Sequence, residues 1–244
     1  MGLLENYNLV RAKIAMAAQQ AGRDPASVQL VAVSKGQPLE AIAALYAAGQ
    51  RDFGENRVPA ALDRLATTRA FTDPLDPIRW HFIGNIQSRK AKTLITGFTL
   101  LHSVDRLELA LALQRQAEQN GVQVPILLEC NVSGEASKHG FAAATLATDP
   151  NAWQSFYETI QPILACQHLK VRGLMTMAPA TATDPQAFAV FSKLAQLRQH
   201  LAAQFGNTDW SLLSMGMSHD YPAAIAAGAT LVRVGSAIFS EAIL

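Results

Sequence analysis

The feature that most constrains the fold is a series of eight short apolar runs, each separated from the next by a stretch with helical character. Runs of roughly four to eight residues that are apolar almost throughout are typical of strands buried on both faces of a parallel sheet. We therefore predict eight strands, which lie at Gln29–Ser34, Asp52–Gly54, Trp80–Ile83, Leu100–Ser103, Ile126–Asn131, Val171–Thr176, Ser211–Ser214 and Leu231–Val234.

Helical patterns fill the intervals, and several of them end at a glycine, the residue that most often follows a helix C-terminus. The predicted helices are Leu39–Ala48, Pro59–Ala66, Ser88–Thr96, Arg106–Asn120, Asn151–Cys166, Pro185–Phe205 and Pro222–Ala227. Eight strand–helix units in 244 residues fit an α/β fold of the (β/α)8 TIM barrel type. A doubly wound open sheet is the alternative that the same alternation allows.

In the predicted barrel, the last strand has no full-length helix after it, and an extra helix precedes the first strand. The segment after the eighth strand, AIFSEAIL, is too short for a full covering helix. A further predicted helix, Leu3–Gln20, precedes the first strand and is expected to fill that gap. Because no linker, repeat or low-complexity segment interrupts the pattern, we expect residues 1–244 to form a single domain.

Composition and charge argue against several classes of protein. Half of the residues are hydrophobic and the formal net charge is +1, which gives no overall attraction to nucleic acid or anionic lipid. No apolar run approaches the roughly 18 residues that a membrane span needs, and the N-terminal segment lacks the apolar centre of a secretory signal. The two cysteines, Cys130 and Cys166, are expected to be small buried residues rather than a disulfide. We therefore expect a cytoplasmic protein that binds neither nucleic acid nor membrane.

Polar residues gather where the predicted strands end, which is where TIM barrels place their active sites. The first apolar run, LVAVSKG, ends in Lys35. The seventh strand leads into SMGMSHDYP, in which Ser218 is expected to cap the next helix, and the eighth leads into Gly235 and Ser236. Because free N–H groups at a helix start attract anions, these two loops predict a phosphate site.

A lysine beside a phosphate site indicates a specific chemistry. In a closed barrel the first and eighth strands are neighbours, so Lys35 is expected next to the phosphate loops. A lysine amine forms a Schiff base with an aldehyde, and pyridoxal 5′-phosphate (PLP) is a phosphorylated aldehyde that proteins hold in this way. On the residues alone, Lys35 could also be a solvated strand end or a plain anion contact.

Other catalytic or metal-binding patterns are missing from the sequence. Neither a G-x-x-x-x-G-K-[ST] motif nor a G-x-G-x-x-G motif is present. We expect no metal site. Four scattered histidines are interpreted as packing or hydrogen-bonding residues rather than ligands or bases; they are His81, His102, His139 and His219.

Eight segments, taken in order and spacing, resemble the YggS-type PLP homeostasis proteins, also called PLP-binding proteins. They are VAVSKG (31–36), FGENRV (53–58), WHFIGNIQSRK (80–90), SVDR (103–106), NVSGEASKHG (131–140), GLMTMAP (173–179), LSMGMSHDYPAAIAAGAT (213–230) and VRVGSAIF (232–239). The resemblance spans nearly the whole chain. It implies a barrel like the N-terminal domain of alanine racemase.

The resemblance also implies a role for each residue of the site. Lys35 would carry PLP as a Schiff base, Asn56 would lie beside the ring, and Arg233 would face the pyridine nitrogen. Lys138, in the loop after the fifth strand, could also receive PLP, although a solvated loop lysine is the simpler interpretation. Met217 would line the pocket, and the phosphate would be held by Ser214, Ser218, Gly235 and Ser236.

The function implied by the resemblance is PLP (vitamin B6) and amino-acid homeostasis without robust turnover. An arginine does not give up its proton, so Arg233 would leave the pyridine nitrogen unprotonated and the ring a weak electron sink. The alternative is a PLP-dependent amino-acid racemase, whose second acid–base group comes, in alanine racemase, from a further domain of a partner subunit. We expect that domain to be missing, and predict a monomer without catalytic residues, with at most weak racemase-type activity and with apo PLP enzymes as clients.

Overall fold

Nine parallel strands occur in residues 2–146 and 148–240, which the computed structural model describes. They are β1 (Gln29–Val33), β2 (Asp52–Glu55), β3 (Arg79–Phe82), β4 (Leu100–Val104), β5 (Val124–Asn131), β6 (Phe141–Ala142), β7 (Leu169–Met175), β8 (Leu212–Ser214) and β9 (Leu231–Val234). With β6 set aside, each strand pairs with the next one in chain order, so β5 pairs with β7, and β9 pairs with β1. The ring is therefore closed, which confirms the predicted barrel and excludes the open sheet.

Helices cover the outside of this ring. They are α1 (Leu3–Gln20), α2 (Leu39–Ala47), α3 (Val58–Thr68), α4 (Ala91–Leu94), α5 (Leu107–Gln119), α6 (Pro150–Leu164), α7 (Asp184–Gln204), α8 (Tyr221–Ala226) and α9 (Ser236–Phe239). Up to residue 240, where the described part of the chain ends, only the short α9 follows β9, and α1 packs against both α8 and α9. Asn6 Nδ2 ties α1 to the end of α9 by donating to the carbonyl oxygens of Ile238 (3.3 Å) and Ser240 (3.1 Å). The expected role of the N-terminal helix is thus confirmed.

The structure differs from the prediction in two segments. The strand β6 was not predicted because two residues carry no periodicity; it pairs with the end of β5 outside the ring. The predicted helix Ser88–Thr96 is instead a 3-10 turn at Ser88–Lys90 followed by the single turn of α4. Gly97, at φ 83°, adopts a left-handed conformation shortly after α4, where the chain turns toward β4.

Two groups of buried side chains lie on opposite sides of the strand ring. Because side chains alternate along a strand, every second residue points into the ring and the others point toward the helices. The main apolar core lies between strands and helices and includes Trp80, Phe82 and Leu101. A separate and much smaller apolar cluster is formed by inward-facing residues: Val31, Leu100, Leu127, Met175 and Leu231. Polar side chains occupy other inward-facing positions, and they form part of the candidate site.

Both cysteines are free thiols. Cys130 is buried, as predicted, whereas Cys166 is only partly buried. Within residues 2–146 and 148–240, no helix is long and apolar enough to cross a bilayer. In the same residues, no three His, Cys, Asp or Glu side chains are grouped so that they could hold a metal ion.

The close approach of β7 and β8 generates a prediction about stability. Gly173 in β7 has φ 146°, and a Cβ atom placed on it would lie 1.9 Å from the Leu212 carbonyl oxygen of β8. Alanine at this position must separate two ring strands or strain the backbone. We expect Gly173→Ala to lower the free energy of unfolding by about 2–4 kcal/mol, measured by urea denaturation.

The matched control is Gly206→Ala, because the nearest atom to a Cβ there is 3.9 Å away. We expect this substitution to change the free energy of unfolding by less than about 1 kcal/mol. Equal losses in the two variants would show that the β7–β8 contact is not the cause.

Candidate functional site at the carboxyl end of the barrel

Lys35 lies at the carboxyl end of β1, where the chain leaves the ring. Its side chain is exposed, and it lines a cavity of about 360 Å³. The other residues of this cavity are Gly36, Glu55, Asn56, Arg57 and Ala60. The structure therefore places Lys35 and Asn56, both selected from the sequence, at one accessible pocket on adjacent strand ends.

Gly235 brings the end of β9 against β1. The two strands are paired with Ala32 opposite Val234, and a Cβ atom on Gly235 would lie 3.2 Å from both Cβ and the carbonyl oxygen of Val33. A larger residue would press on β1, so glycine allows the two backbones to approach. The loop after β9 therefore begins against the end of β1, two residues before Lys35, as the closed barrel predicts.

Ser218 links the loops after β8 and β9. Its Oγ accepts hydrogen bonds from the backbone N–H groups of Gly235 and Ala237, each at 3.3 Å. The prediction that Ser218 caps α8 is wrong, because the chain makes a turn first and Asp220 is the residue that precedes the helix. The Asp220 carboxylate accepts the Met217 N–H at 2.6 Å and holds this turn in place.

The other residues predicted for the phosphate loops divide into two groups. Met217 is partly buried in the turn before α8, and Ser236 is exposed at the start of α9, so both lie with Ser218 and Gly235 at the ends of β8 and β9. Ser214 is fully buried in β8. Its hydroxyl bonds to interior side chains, so in this structure it does not lie with the exposed loop residues.

Arg233 lies inside the ring, deeper than the loops at the carboxyl ends of the strands, which we call the rim. It is 5% exposed. Its Nη1 donates to Ser214 Oγ at 2.6 Å and its Nη2 donates to the Thr176 carbonyl oxygen at 3.1 Å. Burial lowers the pKa of Arg233 to about 10, although the negative charges of Glu129 and Asp220 oppose the change. The guanidinium is therefore charged at neutral pH and held by two partners.

A row of buried polar groups continues from Ser214 across the interior; we call Ser214, His102, His81 and Asp52 the polar chain. Ser214 Oγ lies 2.8 Å from His102 Nδ1, His102 Nε2 lies 2.9 Å from His81 Nδ1, and His81 Nε2 lies 3.0 Å from Asp52 Oδ1. At its far end Asp52 accepts two hydrogen bonds from Arg79, at 2.9 and 2.6 Å. The polar chain thus connects Arg233 to the amino-terminal face of the barrel.

The charge states of Asp52 and His102 follow from their surroundings. Burial alone would raise the pKa of Asp52, but hydrogen bonds from His81 and Arg79 outweigh it and hold the pKa well below its usual range. Burial lowers the pKa of His102 well below its usual value, and the positive charge of Arg233 acts in the same direction. Asp52 is therefore ionised and His102 neutral. The interpretation of His81 and His102 as hydrogen-bonding residues is confirmed, but their connection was not predicted.

Two carboxylates beside the site were also missed by sequence reasoning. Glu129 in β5 is 5% exposed; burial raises its pKa to about 7, the negative charge of Asp105 adds to the rise and Arg233 opposes it. Glu55, at the end of β2, accepts a hydrogen bond from Ser34 Oγ at 2.8 Å, and burial raises its pKa. The available signal was their position near strand ends, where TIM barrels place their active sites.

Lys138 is held in the loop after β5 rather than left free in solvent. Its Nζ donates to the Met177 carbonyl oxygen at 2.7 Å and pairs with Glu135 at 3.0 Å, and its side chain is 17% exposed. The interpretation of Lys138 as a solvated lysine is thus wrong, because these two partners anchor the ammonium group.

Comparisons with known proteins agree with the fold. The family described as alanine racemase, N-terminal domain, matches residues 6–242. Pyridoxal phosphate homeostasis proteins of Pseudomonas aeruginosa and Vibrio cholerae are 42% and 40% identical to the chain; each comparison covers 97% of this chain, and 94% and 95% of the respective relative. The structure of PipY from Synechococcus elongatus PCC7942 with PLP bound is similar, with a TM-score of 0.75 and 36% identity over 93% of this chain and 100% of its own.

The raised pKa of Glu129 generates a prediction about pH. Between its usual value of 4.5 and the folded value of about 7, the folded protein keeps a proton that the unfolded chain has released. The contribution of Glu129 to stability therefore falls as pH rises through that window. Relative to the unmodified protein, Glu129→Gln should gain about 2 kcal/mol in free energy of unfolding between about pH 5 and pH 8, measured by urea denaturation.

Glu118→Gln is the matched control, because Glu118 is exposed on α5. Its stability should follow that of the unmodified protein at every pH. If the curve for Glu129→Gln also runs parallel to that of the unmodified protein, Glu129 does not take up a proton in this range.

Proposed function

The chain belongs to the alanine racemase N-terminal domain family and, within it, to the pyridoxal phosphate homeostasis proteins, and on that premise we propose that it holds PLP as a Schiff base on Lys35. Its role would be to store and deliver PLP in vitamin B6 and amino-acid homeostasis, without robust turnover. The observation that carries the proposal is the accessible Lys35 amine beside the loops of Ser218 and Gly235, with the buried Arg233 behind them.

The donor set fits the three polar parts of PLP. An amine for the aldehyde is offered by Lys35, which is exposed at the cavity. The Ser218 hydroxyl can donate to a phosphate oxygen while its own oxygen holds the N–H groups of Gly235 and Ala237 in place. Arg233 has two of its donors engaged, which leaves further N–H groups for an acceptor such as a pyridine nitrogen.

The surroundings of Arg233 favour holding PLP over amino-acid chemistry. PLP supplies an aldehyde that binds amines and a ring that can withdraw electrons from a bound substrate. The ring withdraws electrons more strongly when its nitrogen is protonated, and a fixed guanidinium does not release a proton to it. Schiff-base formation at Lys35 releases water and is reversible, so an exposed lysine suits both loading and release.

The racemase alternative is less well supported. Racemisation needs a second acid–base group, and Tyr221 is the tyrosine that the sequence places nearest to the site. It is 4% exposed beneath the turn at Gly216, and burial raises the pKa of its hydroxyl, which makes it a poor proton acceptor at neutral pH. We further propose a monomer that works in the cytoplasm, where the free thiols Cys130 and Cys166 would stay reduced, and that delivers PLP to apo enzymes.

The attachment of PLP to Lys35 is tested by absorption spectroscopy and borohydride reduction. After incubation with PLP, the unmodified protein should show a Schiff-base band, and reduction should leave a PLP adduct on the peptide that contains Lys35, detected by mass spectrometry. Lys35→Ala should lose both signals. Lys138→Ala, the matched control, should keep both, because Lys138 is anchored by Glu135 and the Met177 carbonyl. An adduct on Lys138 alone, or a band that persists in Lys35→Ala, would overturn the assignment.

The carrier role is tested by transfer of PLP. The loaded protein, freed of unbound PLP, should restore the activity of an apo PLP-dependent enzyme, while borohydride-reduced protein should restore none because its PLP is fixed. The loaded protein should racemise L-alanine no faster than the same concentration of free PLP. A racemisation rate far above that of free PLP would favour the racemase instead.

A further inference from the structure

The polar chain has two ends whose hydrogen-bonding roles are fixed. Arg233 Nη1 can only donate, so Ser214 Oγ accepts from it. The Asp52 carboxylate is ionised and can only accept, so His81 Nε2 carries a proton and donates to it. Because burial keeps His102 neutral, the roles of the groups between these ends are limited to two arrangements.

In the first arrangement every group donates toward Asp52. The Ser214 hydroxyl donates to His102 Nδ1, His102 Nε2–H donates to His81 Nδ1, and His81 Nε2–H donates to the carboxylate. Both histidines are then neutral, and each carries its proton on Nε2. All donors and acceptors of the polar chain are used.

In the second arrangement His81 is doubly protonated and donates through Nδ1 to His102, whose own proton lies on Nδ1 and points to Ser214. The Ser214 oxygen would then accept from both Arg233 and His102. Its own hydrogen would have to find another acceptor, but within the described residues the hydroxyl has no hydrogen-bond partners besides Arg233 and His102. A buried hydroxyl without an acceptor costs about 1–3 kcal/mol.

We propose that the polar chain is polarised in one direction, from Arg233 through Ser214, His102 and His81 to Asp52, and that it positions Arg233. This deepens the proposed function, because His102 and His81 would act on bound PLP only through the guanidinium. The register of the ring brings these groups into contact: His81 and His102 follow outward-facing apolar residues on adjacent strands, and His102 meets Ser214 from a position 112 residues away in sequence.

The orientation of Arg233 depends on that direction. Because the Ser214 hydrogen is committed to His102, the oxygen presents its lone pairs to the guanidinium, and the Thr176 carbonyl fixes the second nitrogen. If the direction were reversed, Ser214 would hold a proton toward Arg233 or leave it without a partner. His102 is therefore a positioning residue, and the role needs a group that accepts on one side and donates on the other.

The first test uses the unmodified protein without PLP, so its outcome is independent of PLP binding. Long-range 1H–15N spectra of the six histidines distinguish a protonated from an unprotonated ring nitrogen, and His102→Gln assigns the His102 signals by removing them. At neutral pH we expect His81 and His102 both neutral, each with its proton on Nε2. A doubly protonated His81, or a His102 proton on Nδ1, would overturn the proposal.

The second test asks whether His102 positions Arg233. Glutamine can accept from Ser214 and donate to His81, whereas leucine can do neither. We expect His102→Gln to keep the Arg233 side-chain 15N shifts and the band of bound PLP, and His102→Leu to change both and weaken PLP binding about tenfold. Urea denaturation of both variants is measured first, to verify that each is folded under the conditions used. If folded His102→Leu retains the Arg233 shifts, the polar chain does not position that residue, whether or not PLP binds.

Discussion

The burial of Arg233 inside the strand ring is the constraint on which the rest of the site depends. A guanidinium removed from water costs several kcal/mol unless charges and hydrogen bonds replace the solvent. Here Ser214 and the Thr176 carbonyl supply the hydrogen bonds, Asp220 supplies a compensating negative charge, and Glu129 adds a second one when it is ionised. A polar interior is the consequence, and the inward-facing apolar cluster stays small. Most of the apolar stabilisation must then come from the core between strands and helices.

Strand alternation is what lets one chain supply both regions. In β3, Trp80 and Phe82 belong to the outer core while His81 between them reaches Asp52 and His102. A slip of one residue would exchange the two faces, so His81 would enter the apolar core without a partner and Trp80 would enter the ring. The outer core and the polar chain therefore specify the same register.

A feature of the fold or the site could be predicted from the sequence when it depends on residues close together in the chain, or on the number of strand–helix units. It could not when it depends on contacts between distant residues. The strands, most helices and the closing role of α1 follow from local periodicity and from the number of units, and the neighbourhood of Lys35 and Gly235 follows from barrel closure. A serine before a helix is a local signal for an N-cap, so the sequence predicts that Ser218 caps α8. In the structure its hydroxyl oxygen instead accepts hydrogen bonds from Gly235 and Ala237, which are distant in sequence.

The polar chain lies beyond such local signals. Ser214 and His102 are 112 residues apart, and their contact depends on the register of several strand pairs rather than on either neighbourhood. The raised pKa of Glu129 likewise depends on burial and on Asp105 and Arg233, none of which is adjacent in sequence. Sequence reasoning could name His102 and Arg233 as polar residues in strands, but it could not pair them.

The division between rim and interior bears on how a carrier differs from an enzyme. The groups proposed to hold the aldehyde and phosphate, Lys35 and the Ser218 loop, lie at exposed strand ends, whereas Arg233 is fixed in the interior. In the proposed function, exchange at the rim needs no change in the buried hydrogen bonds, so PLP can be bound and released while the interior stays intact. The fixed guanidinium meanwhile limits the electron withdrawal that turnover would need. The first property follows from the interior position of Arg233, and the second from a guanidinium that keeps its proton.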